Sequence, residues 1–168
     1  MLIDDFSRDG LLSALGTRWR GVSDKVMGGI SEAIVARELI EGRDALRLTG
    51  DVRLENNGGF VQASLDLSEP GETFDASAFT GVRLRVICNG EVYAVHLRTA
   101  DAVRPWQSYR AQFTAGRNWE AVDLPFTAFS AHRLEAPFDT SRLRRIGLVA
   151  IGRAFRADLA VSEIRFYR

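Results

Sequence analysis

Apolar and polar residues alternate along much of this chain. In residues 46–54, 61–67, 82–88 and 93–98, small or apolar side chains occupy every second position and polar side chains stand between them. Successive side chains of a β-strand point to opposite faces, so each segment is predicted to be a strand with one face buried and one face in water. No helical pattern runs for more than about two turns.

The residues between these segments indicate how the strands are connected. Asn89-Gly90 separates two of them, and because this dipeptide accepts the positive φ angles of a type I′ turn, we predict a β-hairpin over residues 82–98. Further strands are predicted at residues 30–37, 108–114, 118–124, 145–151 and 155–167, the last interrupted near Ser162. Short turns are expected at residues 7–15, 75–79 and 126–130.

The number of strands points to the architecture. About eight to ten strands with polar alternate faces pack either as a two-sheet sandwich or as a closed barrel. Of these we predict an all-β jelly-roll sandwich of two antiparallel sheets. A chain of 168 residues, 46% of them apolar, is long enough for one core and too short for two ordinary ones, so residues 1–168 are expected to form a single domain.

Composition and charge exclude several classes of partner. The 22 basic residues balance 22 acidic ones, which leaves no surplus of positive charge to meet a phosphate backbone, so nucleic acid is not an expected partner. The apolar runs are far shorter than the ~20 residues of a membrane helix. No signal sequence opens the chain, and the one cysteine, Cys88, is expected to be a buried thiol. These features predict a soluble cytoplasmic protein without membrane insertion.

Two glycine-rich stretches interrupt the alternation. Residues 19–31 contain the pair Gly28-Gly29, which lets the backbone turn sharply and approach other groups closely. Residues 55–60 read ENNGGF, a composition that permits left-handed backbone conformations just before a predicted strand. Each stretch alone is also what a tight structural loop requires. No Gly-Lys-Ser/Thr follows the first pair, so it is not a phosphate-binding loop.

Together the two stretches resemble a known family. Trp19, the sequence SDKVMGGIS at residues 23–31 and ENNGGF at residues 55–60 are similar to the paired signature of the complex I intermediate-associated protein 30 family. The similarity extends from residue 3 to residue 166. Later landmarks in that family's order are Val92-Tyr93, Leu97-Arg98-Thr99, Tyr109, Trp119, Leu124-Pro125-Phe126 and Ile146-Gly147-Leu148.

The resemblance carries expectations about fold and function. It implies a galactose-binding-like jelly roll, in agreement with the alternation, and a non-catalytic role. Members of the family include a mitochondrial assembly factor for respiratory complex I. The resemblance therefore implies a chaperone-like module that binds a protein partner, with subunits of a respiratory complex or another membrane complex as candidates. Because the chain shows no mitochondrial targeting region, it is expected to be a bacterial relative.

The residues offer little for catalysis or for a metal site. His96 and His132 have no spacing typical of metal ligands, so zinc is not expected. The acidic residues are scattered along the chain, and no pair of hydrolytic carboxylates is expected. A structural calcium ion held by Asp4, Asp5 or Asp66 stays open. We therefore expect no enzyme and no bound cofactor.

The sequence offers better candidates for a binding surface than for a catalytic or metal site. Aromatic side chains together with arginine and asparagine are typical of protein interaction sites and equally of saccharide platforms. We predict that the loops at residues 24–31 and 56–60 pack together into one site that receives a protein partner. The candidate site residues are Trp19, Asp24, Met27, Gly28, Gly29, Asn57, Gly58, Phe60, Arg98, Trp106 and Tyr109.

Some of these residues have a structural alternative. Trp19, Phe60 and Tyr109 each suit the core as well as a site. Arg98 lies on the polar face of its predicted strand, from which it is expected to reach the glycine-rich loops and form an ion pair with Asp24. That pair would serve either the binding site or only the structure of the loop.

Two other functions stay open beside the protein-interaction module. The first is a carbohydrate or small-ligand binding domain, in which exposed aromatic rings stack on the ligand. The aromatic candidates for that role are Trp106, Tyr109 and Trp19. The second is an uncharacterised enzyme centred on His96, Arg98 and Asp24.

Overall fold

The structure contains twelve β-strands, more than the roughly eight to ten that the alternation predicts. The computed structural model describes residues 1–168 and contains these strands, four 3-10 turns and no α-helix. None of the helical turns is long and apolar enough to cross a membrane. The strands are β1 (Leu2–Asp4), β2 (Arg20–Ser23), β3 (Ile34–Ile40), β4 (Arg43–Val52), β5 (Phe60–Asp66), β6 (Gly81–Cys88), β7 (Val92–Thr99), β8 (Ser108–Thr114), β9 (Glu120–Pro125), β10 (Ser130–His132), β11 (Leu143–Ile151) and β12 (Phe155–Tyr167). The 3-10 turns are Asp24–Met27, Glu55–Asn57, Phe126–Ala128 and Thr140–Arg142.

The strands form two six-stranded sheets in which every pairing is antiparallel. The first sheet has the order β3-β4-β12-β6-β9, and β1 also pairs with β12. The second sheet has the order β10-β8-β7-β11-β5-β2. The chain passes from one sheet to the other at most of its connections, as in a jelly roll. The predicted all-β sandwich of two antiparallel sheets is confirmed.

The core lies between the two sheets, and β6 shows how the alternation builds it. Val82 and Leu84 point inward and are fully buried, whereas Arg83 and Arg85 point outward. Cys88 at the end of the strand is also buried, as expected, and burial raises the pKa of its thiol to about 12. The thiol is therefore protonated and unreactive at neutral pH.

The predicted hairpin over residues 82–98 is wrong. β6 pairs with β12 and β9 in the first sheet, whereas β7 pairs with β8 and β11 in the second. A type I′ turn needs positive φ at both central residues, and of Asn89 and Gly90 only the glycine has it, at 82°. Asn89 donates a hydrogen bond to the Arg156 carbonyl and accepts one from the Tyr93 hydroxyl. These contacts anchor the link where it passes between the sheets.

A two-residue hairpin turn occurs instead between β3 and β4. Glu41 and Gly42 have φ angles of 45° and 79°, and Ile40 pairs with Arg43 across the turn. Both central residues are thus in the left-handed region that a type I′ turn requires. Glutamate is uncommon at positive φ, so the sequence did not predict this turn.

The predicted interruption of the last strand is a β-bulge. β12 runs from Phe155 to Tyr167 without a break, but its register against β6 shifts between Val161 and Glu163. The shift falls on Ser162, which is buried. The strand therefore continues through the first sheet while the residues that face the core change phase.

Asp4 fastens the N-terminal segment to the sandwich. Its buried carboxylate accepts hydrogen bonds from Trp19 Nε1 at 2.8 Å and from the backbone N–H groups of Phe6 and Ala14 at 3.1 and 3.3 Å. Burial raises the pKa of Asp4, and these hydrogen bonds offset part of the rise. Trp19 is 2% exposed and fills the core, so it is not a surface site residue.

Candidate functional site

A groove crosses the outer face of the second sheet, and we call it the sheet groove. Its volume is about 750 Å³, and β5, β11, β7 and β8 form its floor. At the β2 edge, the turn Asp24–Met27 and residues 57–60 form one rim. At the β8 and β10 edge, residues 105–106 and 132–133 form the other rim. The groove thus joins the glycine-rich loops to the outward side chains of four strands.

Strand register decides which side chains meet on the groove floor. Ser64, Gly147, His96 and Arg110 lie directly opposite one another on β5, β11, β7 and β8. A Cβ at Gly147 would collide with the carboxamide of Gln62, so the glycine makes room for that side chain. The floor of the groove is therefore polar where a strand face in a core would be apolar.

His96 is a buried histidine whose Nε2 has no hydrogen-bond partner. The residue is 8% exposed. Burial, together with the nearby charges of Arg110 and His132, lowers the pKa of His96 to about 3, so its imidazole is neutral at pH 7. Burial also lowers the pKa of His132, and Arg110 and Arg133 lower it further.

Arg98 and Arg110 stand on the floor without a carboxylate partner. Arg98 donates from Nη2 to the carbonyls of Ala102 and Arg104, at 2.7 and 3.2 Å. Arg110 donates from Nε to Ser108 Oγ at 2.8 Å. Burial lowers the pKa of both guanidinium groups, and neighbouring arginines lower it further. Both charges are therefore partly desolvated and not neutralised.

Arg145 differs from these two arginines because a carboxylate neutralises it. It lies on β11, opposite both Arg98 on β7 and Asp66 on β5. Its Nε is 2.7 Å from Asp66 Oδ1. The floor thus carries one paired guanidinium group beside two unpaired ones.

The two glycine-rich loops pack together as predicted, and the Asp24 carboxylate joins them. This carboxylate is fully buried and accepts hydrogen bonds from the N–H groups of Ser31 at 2.9 Å, Gly59 at 2.5 Å and Phe60 at 3.1 Å, and also from the Ser31 hydroxyl. Burial alone would raise the pKa of Asp24, but the hydrogen bonds outweigh it and hold the pKa below its usual value.

Glycines in both loops make room for the Asp24 carboxylate. A Cβ at Gly58 would lie 2.6 Å from Asp24 Oδ2, and one at Gly29 would collide with the same side chain. Gly28 ends the 3-10 turn with a φ of 87°. Close approach to the Asp24 side chain therefore requires one glycine of each pair, and the positive φ angles of Gly28 and Gly59 favour the other.

The expected ion pair between Asp24 and Arg98 does not form. The oxygens of Asp24 face backbone N–H groups inside the loops, and Arg98 uses the carbonyls of Ala102 and Arg104. The Asp24 carboxylate is satisfied inside the loops, whereas Arg98 contacts only backbone carbonyls and has no carboxylate partner.

Tyr109 lies in the core and is not exposed to a ligand. It is 1% exposed, its ring stacks on Phe138 with the centroids 4.6 Å apart, and its hydroxyl donates to the Ala136 carbonyl at 2.6 Å. Its neighbours Ser108 and Arg110 face the groove, in keeping with the alternation along β8.

Apolar side chains stand exposed on both rims of the groove. Val26 and Met27 are 71% and 49% exposed on the loop rim, and Trp106 is 47% exposed on the opposite rim. The candidate residues that line the groove are Met27, Asn57, Gly58, Phe60, Arg98 and Trp106.

Several groove residues were absent from the set of candidates. They include Val26, Gln62, Ser64, His96, Ser108, Arg110, His132, Arg133, Arg145, Gly147 and Val149. The alternation identifies the outward positions of a strand but does not show which outward face is concave. Gly147 did carry a signal, because a glycine inside a strand often marks a close approach.

Metal ligation has no support in the side-chain arrangement. No group of three or more histidine, cysteine, aspartate or glutamate side chains could hold a metal ion. The carboxylates considered for calcium have other partners: Asp4 lies in the core, Asp5 accepts from Ser7, and Asp66 pairs with Arg145.

One family model matches most of the sequence. It is described as Complex I intermediate-associated protein 30 and covers residues 11–161. This range includes both glycine-rich loops and every strand of the groove floor. No curated protein matches the chain.

The fold is similar to those of carbohydrate-binding modules in solved structures. A family 11 module of the cellulosomal cellulase Lic26A-Cel5E of Clostridium thermocellum has a TM-score of 0.76 and 11% identity, over 99% of this chain and 93% of that one. A family 11 module from the same organism, in complex with a β-1,3-1,4-mixed-linked tetrasaccharide, has a TM-score of 0.74 and 12% identity over 99% and 94%. A family 30 module has a TM-score of 0.69 and 15% identity over 100% and 89%.

Proposed function

Since the chain belongs to the complex I intermediate-associated protein 30 family, we propose that it is a non-catalytic binding module that assists the assembly of a respiratory complex. In this proposal the sheet groove receives an extended segment of a protein subunit. The observation that carries it is the pair of rims, where exposed Val26, Met27 and Trp106 flank a polar floor. Apolar anchors beside polar groups are typical of protein interaction sites.

Hydrogen bonds within the protein hold the loop rim together. Asp24 accepts hydrogen bonds from both loops, and Gly29 and Gly58 pack directly against its carboxylate. Val26 and Met27 therefore stand on a rigid support. A preordered rim loses less conformational entropy on binding, which favours a recognition role for these side chains.

The chemistry of the groove favours binding over catalysis. Acid–base catalysis by a histidine uses a second group that orients the imidazole. No aspartate or glutamate lines the groove to orient His96 or to act as its acid partner. The arrangement supplies positive charge and apolar anchors, and it supplies no acid–base pair.

Site-specific crosslinking tests the proposal. Trp106 on the groove rim is replaced by the photoreactive residue p-benzoylphenylalanine, the protein is expressed in its native cells, and crosslinked partners are identified by mass spectrometry. The matched control carries the same residue in place of Leu39, which is 74% exposed on β3 of the first sheet. We expect subunits of a respiratory complex from position 106 and none from position 39.

Two further results complete the test of assembly. Met27→Asp places a charge on the apolar rim and is expected to remove the crosslinks from position 106 without a change in thermal stability, since Met27 is 49% exposed. Equal crosslinking from both positions, or the absence of respiratory subunits from both, would contradict the proposal.

Saccharide binding is the second candidate, and the exposed ring of Trp106 at the groove favours it. One structural neighbour is a complex with a β-1,3-1,4-mixed-linked tetrasaccharide. Titration of that tetrasaccharide, followed by tryptophan fluorescence and calorimetry, tests the idea, with Trp106→Ala as the control. Absence of heat and of a fluorescence change at millimolar sugar would remove this candidate.

A further inference from the structure

Charge is distributed unevenly between the groove and the rest of the chain. The whole chain has a formal net charge of zero. Four arginines line the sheet groove, and no aspartate or glutamate does. Of these four, Arg145 alone pairs with a carboxylate, that of Asp66. The sheet groove is therefore positively charged, although the whole molecule is neutral.

Arg98 and Arg110 are the central charges of the sheet groove. Both are half-buried, and burial lowers the pKa of both, so their charged forms are less well solvated than in free solution. Arg47 on the first sheet is also half-buried, and it donates to Asp158 and Glu38. An anion that entered the groove would supply Arg98 and Arg110 with the partner that Arg47 already has.

The strand register sets the spacing of the Cα atoms of the two arginines. Arg110 lies opposite His96, and Arg98 follows His96 by two residues on the same strand. The two arginines are thus diagonal neighbours, with Cα atoms about 7–8 Å apart. Alternate residues of an extended peptide are separated by about 7 Å. The two arginines therefore match two acidic side chains at positions i and i+2 of an extended segment.

A second, independent observation points to a ligand at the same place. His96 lines the groove and is only 8% exposed, and its Nε2 has no hydrogen-bond partner in the protein. Ser64, in the same row of the floor, has an unpartnered Oγ. Unsatisfied buried polar groups are rare in folded proteins, and two of the three in this chain lie together on the groove floor.

From these observations we infer that the sheet groove binds an acidic peptide segment, with carboxylates at alternate positions held by Arg98 and Arg110 and a hydrogen bond to His96. The inference rests on the proposed function and adds the chemistry of the segment to it. Apolar side chains that flank the acidic positions contact Val26, Met27 and Trp106 on the rims.

The rims favour a peptide over an acidic saccharide. Sugar rings are recognised by stacking on aromatic faces and by several polar acceptors for their hydroxyl groups. Trp106 is the one largely exposed aromatic ring of the groove, and the opposite rim carries the aliphatic side chains of Val26 and Met27. With no carboxylate in the lining, hydroxyl hydrogen atoms have few acceptors.

Fluorescence polarisation with defined peptides tests the inference. The probe is a labelled ten-residue peptide in which glutamate alternates with serine in the middle and leucine stands at both ends. The control peptide has glutamine at every glutamate position. We expect the acidic peptide to bind at least about tenfold more tightly than the neutral one, as charge-assisted hydrogen bonds require. Its affinity should fall as salt is raised from 50 to 300 mM.

Arginine variants locate the binding. Arg110→Gln is expected to weaken the acidic peptide about tenfold and to leave the neutral peptide unchanged. Arg98→Gln should act alike, but Arg98 also holds the carbonyls of residues 102 and 104, so Arg98→Lys serves as its charge-preserving companion. Arg85→Gln, on the outer face of β6 in the first sheet, is the matched control and should have no effect.

The outcomes separate this inference from the proposed function. Equal affinity for the two peptides, or full affinity in Arg110→Gln, overturns the inference, as does tighter binding of an oligogalacturonate probe than of the acidic peptide. If crosslinks from position 106 to respiratory subunits persist in an Arg98→Gln, Arg110→Gln double variant, the proposed function stands and the inference falls. If the acidic peptide binds but position 106 captures no respiratory subunit, the assembly role fails and the acid preference of the groove remains.

Discussion

The Asp24 carboxylate is buried between two loops whose backbone N–H groups point at it. It accepts hydrogen bonds from Ser31, Gly59 and Phe60, and no arginine or lysine is within ion-pair distance of it. The negative charge is therefore balanced by oriented backbone groups. Both the shape of the loop rim and its stability depend on this one side chain.

Replacement of Asp24 by asparagine tests that dependence. Asp24→Asn keeps the size of the side chain but turns one acceptor oxygen into an NH₂ group that faces backbone donors, so we expect a loss of about 3 kcal/mol in the free energy of unfolding. Urea denaturation measures the loss. Asp75→Asn is the control, since Asp75 is exposed and accepts only from Ser77 in a local turn. A loss below about 1 kcal/mol would contradict the role given to Asp24.

His96 makes stability depend on pH. Burial and the charge of Arg110 lower its pKa from 6.5 to about 3 in the folded protein. Below pH 6.5 the unfolded chain therefore binds a proton that the folded chain does not, and stability is lost as the pH falls. Between pH 7 and pH 5 we expect a loss of about 2 kcal/mol from this residue.

Urea denaturation at pH 7, 6 and 5 measures this loss, and His96→Gln should remove most of it. His132 titrates in the same direction because burial and nearby arginines also lower its pKa, so a small slope remains in the variant. An NMR titration gives an independent value, since the chain has only two histidines. A His96 resonance that titrates near pH 6 would show that the side chain is not held neutral.

Among single residues, the sequence predicted the strand faces better than the partners of each side chain. His96 and Arg98 were placed correctly on the polar face of β7. Trp19 was a candidate for the surface, and it is buried because Asp4 supplies the acceptor that its indole needs. Such a partner, 15 residues away in sequence, follows from the three-dimensional path of the chain and not from local pattern.

Among elements, the positions of the long strands could be predicted from the sequence, but the strands with which they pair could not. The alternation found the segments that became β4, β5, β6 and β7, because each buries one face over seven or more residues. β1, β2 and β10 have three or four residues, too few for a period to show. The hairpin over residues 82–98 failed because alternation shows which side of a strand is buried and does not show which sheet it joins.

The turn between β3 and β4 offers a direct test at this scale. Glu41 has a φ of 45°, a region that asparagine tolerates far better than glutamate. Glu41→Asn would create the Asn-Gly pair favoured in type I′ turns, so we expect an increase of about 0.5–1 kcal/mol in the free energy of unfolding. Thermal and urea unfolding measure it. Glu72→Asn, at an exposed position without positive φ, should leave stability unchanged, and the same result for Glu41→Asn would contradict the turn assignment.

Across the whole molecule, the two outer faces differ in how charge is arranged. On the first sheet arginines and acids pair across strands, as Arg83 does with Asp123 and Arg47 with Asp158. On the second sheet Arg98 and Arg110 have no such partners. The composition shows only the net charge of zero. The difference between the two faces depends on which strands lie side by side, so the composition does not show it.

The single thiol reports on the stability of the sandwich as a unit. Cys88 is 5% exposed at the end of β6, and burial raises its pKa to about 12. We expect a thiol reagent to label the native protein at least about a thousandfold more slowly than the chain in urea, at a rate set by unfolding. A Cys88→Ala, Ser77→Cys variant, with its thiol at an exposed position, is the control and should react at once. Equally fast labelling of Cys88 would show that the core opens locally.

The position of β12 has a consequence for how the protein is made. This strand comes last in the sandwich, yet it lies between β4 and β6 and also pairs with β1. Until β12 has been synthesised, β4 and β6 therefore each have an unpaired edge, and the apolar face of the first sheet is incomplete. Such nascent chains fold late and aggregate readily. With this topology the first sheet is complete only when the final strand has been inserted between β4 and β6.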